Sequence, residues 1–256
     1  MVHMEQVTIP ALSGETPRRL FVYVPDEDYE GLLDADEDED EAESEELPEE
    51  EEDDEVRYPV LYMFDGHNVF FDQTATYGKC WGMKDYLEEH HVPLIVVAIE
   101  CNHEGLQRLE EYSPYRGTVA GDPIAKAQGK ITMDWITGVL KPIIDDCFPT
   151  LPDREHTAIA GSSMGGLMAV YAGTVYNEFF SKAAGLSPCV SIDRKGLLAD
   201  IERSELGPDT RIYMDLGSEE MRGARAWYED METVEHALFE KGAATCLRLI
   251  AGGTHS

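Results

Sequence analysis

The sequence predicts an α/β fold built on a mainly parallel sheet with helices on both faces. Continuous apolar runs such as "YPVLYMFDG" (Tyr58 to Gly66) and "PLIVVAIE" (Pro93 to Glu100) end on turn or acidic residues and read as strands buried on both sides. Helical patterns separate such runs, and strand and helix alternate throughout the second half of the chain. At 256 residues the chain suits one large α/β domain, 1–256, with a well-buried core.

In chain order, "EQVTIPAL" and "RRLFVYVP" predict two short antiparallel strands. An acidic stretch follows, then the strand in "YPVLYMFDG", a helix around Gly82 to His90, and the strand in "PLIVVAIE". "DWITGVLKPIIDDCF" reads as a long amphipathic segment leading to the strand "HTAIAG". "GLMAVYAGTV" is a helix of small and apolar residues, suited to close packing on a sheet. "SKAAGLSP", "RIYMDLG" and "ATCLRLIAGG" supply three more strands, separated by helices at Arg194 to Arg203 and Arg222 to Lys241.

Charge excludes several classes of function. The formal net charge is -32, but 21 acidic residues and no basic one lie between Asp26 and Glu55, which leaves -11 for the rest. That run cannot bury enough apolar surface to offset its ordering entropy and is expected to be a mobile insertion at 26–55. No cluster of Lys and Arg suggests nucleic acid or an anionic membrane as a partner. "MVHMEQVTIP" has neither a basic start nor a long apolar run, so a cytoplasmic protein is expected. Oligomeric state is not encoded. Five scattered cysteines without C-x-x-C read as reduced, mostly buried thiols, with no disulfide framework and no metal.

In open parallel sheets, catalytic groups gather at the carboxyl ends of the strands. "IAGSSMGG" (Ile159 to Gly166) carries G-x-S-x-G through Gly161, Ser163 and Gly165, between a predicted strand and a predicted helix. The glycines fit because a side chain at either place would meet the neighbouring strand or helix. A serine hydroxyl needs a base to take its proton and a third group to orient that base. His255 follows the last strand in "AGGTHS", and an acidic cluster follows the strand before it in "YMDLGSEEM". The chain order serine, acid, histidine is that of the α/β-hydrolase triad. Glu220 is the favoured acid, with Glu219 next and Asp215 within the strand itself. The backbone N–H groups of Met164 and His67 are assigned to an oxyanion hole, His67 because it follows the strand ending in Asp65 and Gly66. Of the other histidines, His90 and His91 are expected on a helix, His236 inside another, and His103 and His156 beside strands. Trp81, Tyr112 and Tyr115 are candidates to line an acyl or aryl pocket, although packing is the commoner role for such residues.

Taken together, "YPVLYMFDGHNVF", "LPDREHTAIAGSSMGGLMAVYAG", "IYMDLGSEE" and "GGTHS" resemble the α/β-hydrolase esterase family that includes esterase D, feruloyl esterases and enterochelin-type siderophore esterases. The resemblance runs from about Tyr58 to the end. It implies carboxylic-ester hydrolysis through an acyl-enzyme, with no metal or organic cofactor and a small-molecule ester as partner. By motif it makes Ser163 the nucleophile, His255 the base and Glu220 the acid, three residues after Gly217. The acidic insertion departs from the family's short connection, and the family usually continues past the base into a helix where Ser256 stands here. Small or aromatic esters, including acyl groups on carbohydrates, are the expected substrates. Siderophore ester hydrolysis and acyl transfer are the enzymatic alternatives, and an interaction module using the acidic arm is the non-enzymatic one.

Overall fold

The computed structural model describes residues 1–14, 16–25, 56–220 and 224–254. The expected insertion at 26–55 and His255 lie outside them. The first strand is β1 (Val2–Val7), and it pairs antiparallel with β2 (Arg18–Tyr23) from Val2↔Tyr23 to Val7↔Arg18. It ends earlier than "EQVTIPAL" suggests, because Pro10 opens a one-turn helix, α1 (Pro10–Ser13). Proline lacks the N–H a ladder needs, while its fixed φ suits a first helical position.

The next elements are β3 (Val60–Phe64), α2 (Met83–Glu89) and β4 (Ile95–Ile99), all three as expected from their patterns. His90 and His91 fall just past the end of α2, not on it. A short helix, α3 (Gln107–Glu111), and a small hairpin of β5 (Gly117–Val119) and β6 (Asp122–Ile124) follow. The long amphipathic segment is α4 (Gly129–Trp135) and α5 (Lys141–Cys147), joined by a π turn at Ile136–Leu140. Pro142 in the first turn of α5 has no N–H to give the carbonyl four residues back, which accounts for the widened turn.

The second half alternates as predicted: β7 (Thr157–Ser162), α6 (Met164–Val175), β8 (Lys182–Leu186), α7 (Arg194–Arg203), β9 (Arg211–Gly217), α8 (Ala224–Glu240) and β10 (Ala244–Ile250). These strands complete an eight-stranded sheet in the order β1-β2-β4-β3-β7-β8-β9-β10. Pairing is antiparallel from β1 to β4 and parallel from there on.

Period-two alternation sorts the side chains onto two faces. Leu20, Val22, Tyr62, Val97 and Ile159 face a core shared with Met133, Leu167, Val170 and Val234 of α4, α6 and α8. Phe21, Tyr23, Met63, Val96 and Ala98 face a second core with Leu87 of α2 and with Val69 and Phe70 from the loop after β3. Farther along this second face, Ala158, Ala184, Tyr213 and Cys246 line an open groove. α6 is apolar all round and buried from Met164 to Thr174, the environment its small residues suit. All five cysteines are free, but only Cys101 and Cys189 are buried; Cys147 and Cys246 are exposed, against the expectation that most would be inside. No helix among the described residues is long and apolar enough to cross a membrane.

Candidate active site

Ser163 stands between β7 and α6 with φ 56° and ψ -115°, a conformation that a residue with a side chain adopts only when its surroundings impose it. The amide of Ser163 donates to the Leu186 carbonyl (2.8 Å), and its own carbonyl accepts from Cys189 N (3.1 Å). The turn is therefore clamped against the end of β8. Gly161 makes the clamp feasible, since a Cβ there would lie 2.6 Å from the backbone of Gly165. The Ser163 hydroxyl is 3.4 Å from the Cys189 sulfur. Burial pushes the Cys189 thiol up, so it faces the serine as a neutral group.

Met164 is the first residue of α6, and its N–H is among those with no acceptor within the helix. His67 occupies the 3-10 turn Gly66–Asn68 at the end of β3, whose hydrogen bonds begin with Asn68 N to Asp65 O (2.8 Å). That turn is fixed from beneath. Asp65 has φ 58°, and its buried carboxylate takes two bonds from Arg108, at 2.7 and 2.6 Å. The Asp65 amide also donates to the Tyr112 hydroxyl at 3.3 Å. β3 and β7 are adjacent parallel strands, so both amide-bearing turns share one edge of the sheet.

Glu220 reaches back to the end of β9. Its Oε1 accepts from the Gly217 amide (2.7 Å) and from the Ser187 hydroxyl. Ser187 follows β8, the strand between those carrying Ser163 and Glu220. Asp215, by contrast, lies in β9 itself and accepts from the Tyr213 hydroxyl at 2.9 Å. The Glu219 amide donates to Gly253 O (2.9 Å), and Ser218 N donates to Ile250 O (3.0 Å). A Cβ on Gly217 would come 2.4 Å from that same Gly253 carbonyl, so the chain two residues before His255 lies directly against the Glu220 loop.

The aromatic candidates are placed differently from one another. Tyr112 is buried in the core edge-on to Phe64, with ring centroids 4.9 Å apart, under the Asp65–Arg108 pair. Tyr115 is half-buried and donates to Asp200 at 2.6 Å. Trp81 packs beside the second core, and its amide donates to Asn68 O (2.8 Å). Tyr112 therefore supports the His67 turn from below and does not line a cleft. Sequence reasoning missed Ser187, Cys189 and Arg108. The rule that strand ends carry chemistry points to Ser187, since "GLSP" ends a predicted strand; nothing local announces Arg108.

Sheet order, the strained serine at a strand-to-helix turn and the edge that collects these groups define an α/β-hydrolase fold. Residues 45–243 match the family model described as Putative esterase, and the chain belongs to that family. The uncharacterized protein YbbA of Bacillus subtilis (strain 168) is 26% identical over 220 residues, covering 82% of this chain and 83% of its own. Among solved structures, an IroE-like serine hydrolase from Shewanella oneidensis superposes with a TM-score of 0.67 at 17% identity, over 100% of this chain and 75% of the other. The enterobactin esterase FES from Shigella flexneri, in the presence of enterobactin, gives 0.61 at 18% identity; the match covers 96% of this chain but only 53% of that one. A CE1 ferulic acid esterase from Anaeromyces mucronatus gives 0.58 at 14% identity, over 100% of this chain and 84% of the other.

Proposed function

We propose that the protein is a serine carboxylic-ester hydrolase acting through an acyl-enzyme, with Ser163 as nucleophile, His255 as base and Glu220 as the acid that orients it. The observation that carries this reading is the backbone at Ser163: a non-glycine residue at φ 56° at the start of a helix holds its hydroxyl out of a clamped turn. Neutral His255 takes the Ser163 proton as the oxygen attacks the ester carbonyl. The amides of Met164 and His67 hold the resulting oxyanion. The protonated histidine then gives its proton to the departing alcohol, and water repeats the sequence to release the acid. Glu220, restrained by Ser187 and Gly217, keeps the imidazole in the required tautomer; the contact of Gly253 with its loop supports this pairing.

Small or aromatic esters are the substrates we favour, a reading supported by the ferulic acid esterase among the similar structures. Siderophore ester hydrolysis is the second reading, supported by the enterobactin esterase, although a net charge of -32 slows the approach of polyanionic substrates at low salt. The test is hydrolysis of p-nitrophenyl acetate and butyrate by the full chain beside Ser163→Ala, with circular dichroism to establish equal folding. Loss of activity in a folded variant is expected; full activity in Ser163→Ala ends the proposal.

A further inference from the structure

β3 and β4 run side by side, with Phe64 level with Ile99, so the residues that follow each strand meet beyond the sheet. There the turn after β3 brings His67 against Cys101 and His103, which follow β4. One donor atom from each of the three lies within 4.8 Å of the others. The Cys101 sulfur is 3.9 Å from His103 Nδ1, and the two imidazole rings are 4.6 Å apart. His67 and Cys101 are buried, at 3% and 2% exposure, while the His103 side chain is 55% exposed and opens the cluster to solvent.

One nitrogen of each imidazole already has a polar partner. His103 Nε2 is 3.0 Å from the Glu100 carboxylate, and His67 Nε2 is 3.0 Å from the Thr76 hydroxyl. Such contacts on the far nitrogen orient metal-binding histidines and direct the lone pair of the other nitrogen towards the cation. His67 Nδ1 is itself buried without a hydrogen-bond partner among the described residues. A buried nitrogen left in that state is costly, and a ligand would remove the cost.

We propose that His67, Cys101 and His103 form a binding site for a borderline divalent cation, with Zn²⁺ as the best fit and water as its fourth ligand. Two imidazoles and a thiolate are a donor set that zinc accepts in tetrahedral geometry, at about 2.0–2.1 Å to nitrogen and 2.3 Å to sulfur. Closing the present spacing onto those lengths needs movement of about an ångström, which the exposed His103 ring can make. Burial raises the Cys101 thiol well above its usual range, so binding forms the metal–sulfur bond as the thiol proton leaves to solvent; no electron is transferred. Burial also lowers His67, which favours the neutral imidazole that ligation requires. The sequence offered no such site, because Cys101-x-His103 is a weak motif until the fold adds His67 from 34 positions earlier. Bound there, the cation fixes the turn whose amide the esterase mechanism uses; that consequence, unlike the site, rests on the proposed function.

The probe is Co²⁺ added to the full-length, reduced protein and followed by absorption. The expected result is a thiolate-to-cobalt charge-transfer band in the near ultraviolet with tetrahedral visible bands, saturating at one equivalent and abolished by one equivalent of Zn²⁺. Cys101→Ala should lose the band, His103→Ala should weaken cobalt binding at least tenfold, and a Cys80→Ala, Cys147→Ala, Cys246→Ala triple variant should retain both. The acidic run binds Co²⁺ through oxygen alone and gives no thiolate band. Absence of the band from the wild-type protein overturns the site, as does a band that survives Cys101→Ala or is lost in the triple variant. Should Cys101→Ala fail to fold, the exposed His103→Ala decides: unchanged affinity in that variant is equally fatal. The absorption readout is independent of ester hydrolysis, so the failure of one proposal leaves the other standing.

Discussion

The Ser187 hydroxyl donates to the same Glu220 oxygen that accepts the Gly217 amide, so the candidate acid is held from two neighbouring strands at once. If Glu220 orients the base, Glu220→Gln should lower kcat by about 10²–10⁴ with little change in KM. Ser187→Ala removes one of two restraints and should cost less, about tenfold. The check is steady-state kinetics on p-nitrophenyl butyrate for both variants and for Glu219→Gln. Comparable losses in Glu219→Gln alone would transfer the role to that residue.

The turn at Ser163 predicts an effect on folding as well as on rate. A Cβ at position 161 would stand 2.6 Å from Gly165 backbone atoms, which are held by helix and strand and cannot retreat cheaply. Gly161→Ala should destabilise the protein by about 1–3 kcal/mol and also abolish hydrolysis, since relief comes from moving the serine turn. Urea denaturation measures the first part. An unchanged midpoint would mean that the turn is looser than its contacts imply.

Arg18 and Glu111 form a two-pronged pair at 2.6 Å for each bond, with side-chain exposures of 5% and 1%. Removing only the cation strands a carboxylate inside the protein. Arg18→Met should therefore cost about 3–5 kcal/mol, whereas Arg18→Met with Glu111→Leu should recover most of that loss. A double-mutant cycle by thermal or urea unfolding decides it, and additive losses would show that the charge is relieved by solvent.

The proposed base works only when neutral, which fixes the sign of the pH dependence. Histidine ordinarily titrates near pH 6.5, so kcat/KM should hold on the alkaline side and fall about tenfold per pH unit below that region. A stopped assay on an ester stable to acid gives the profile. A rate that stays level down to about pH 4 would remove His255 from the mechanism.

Much of this was legible in the chain because the signals are local. The helix at Arg194–Arg203 has the expected bounds, and the strand runs of β3, β4, β7, β8 and β9 fall where apolar patterning places them. G-x-S-x-G between a strand and a helix gave the turn at Ser163 for the same reason. What stayed hidden depends on distant partners or short elements. β5 and β6 have three residues each, too few for a period to emerge. Arg108 meets Asp65 across 43 positions, and Ser187 meets Glu220 across 33, contacts that only the closed sheet creates. His103, expected merely to flank a strand at the surface, acquires His67 and Cys101 as neighbours by the same route.

Among the described residues, five other than glycine have positive φ, and three of them, Asp65, Ser163 and Ser187, directly follow the adjacent strands β3, β7 and β8; His91 and Ala120 sit in turns elsewhere. Glycine occupies such backbone without a Cβ penalty, so at Ser163 and Ser187, which hold no buried ion pair of the kind that anchors Asp65 to Arg108, the backbone gives up stability to carry a side chain. Ser163→Gly and Ser187→Gly should melt higher than the wild type while losing activity, an inverse relation that differential scanning calorimetry beside the ester assay can establish. The edge proposed to carry the chemistry can then be probed by thermometry, without any substrate at all.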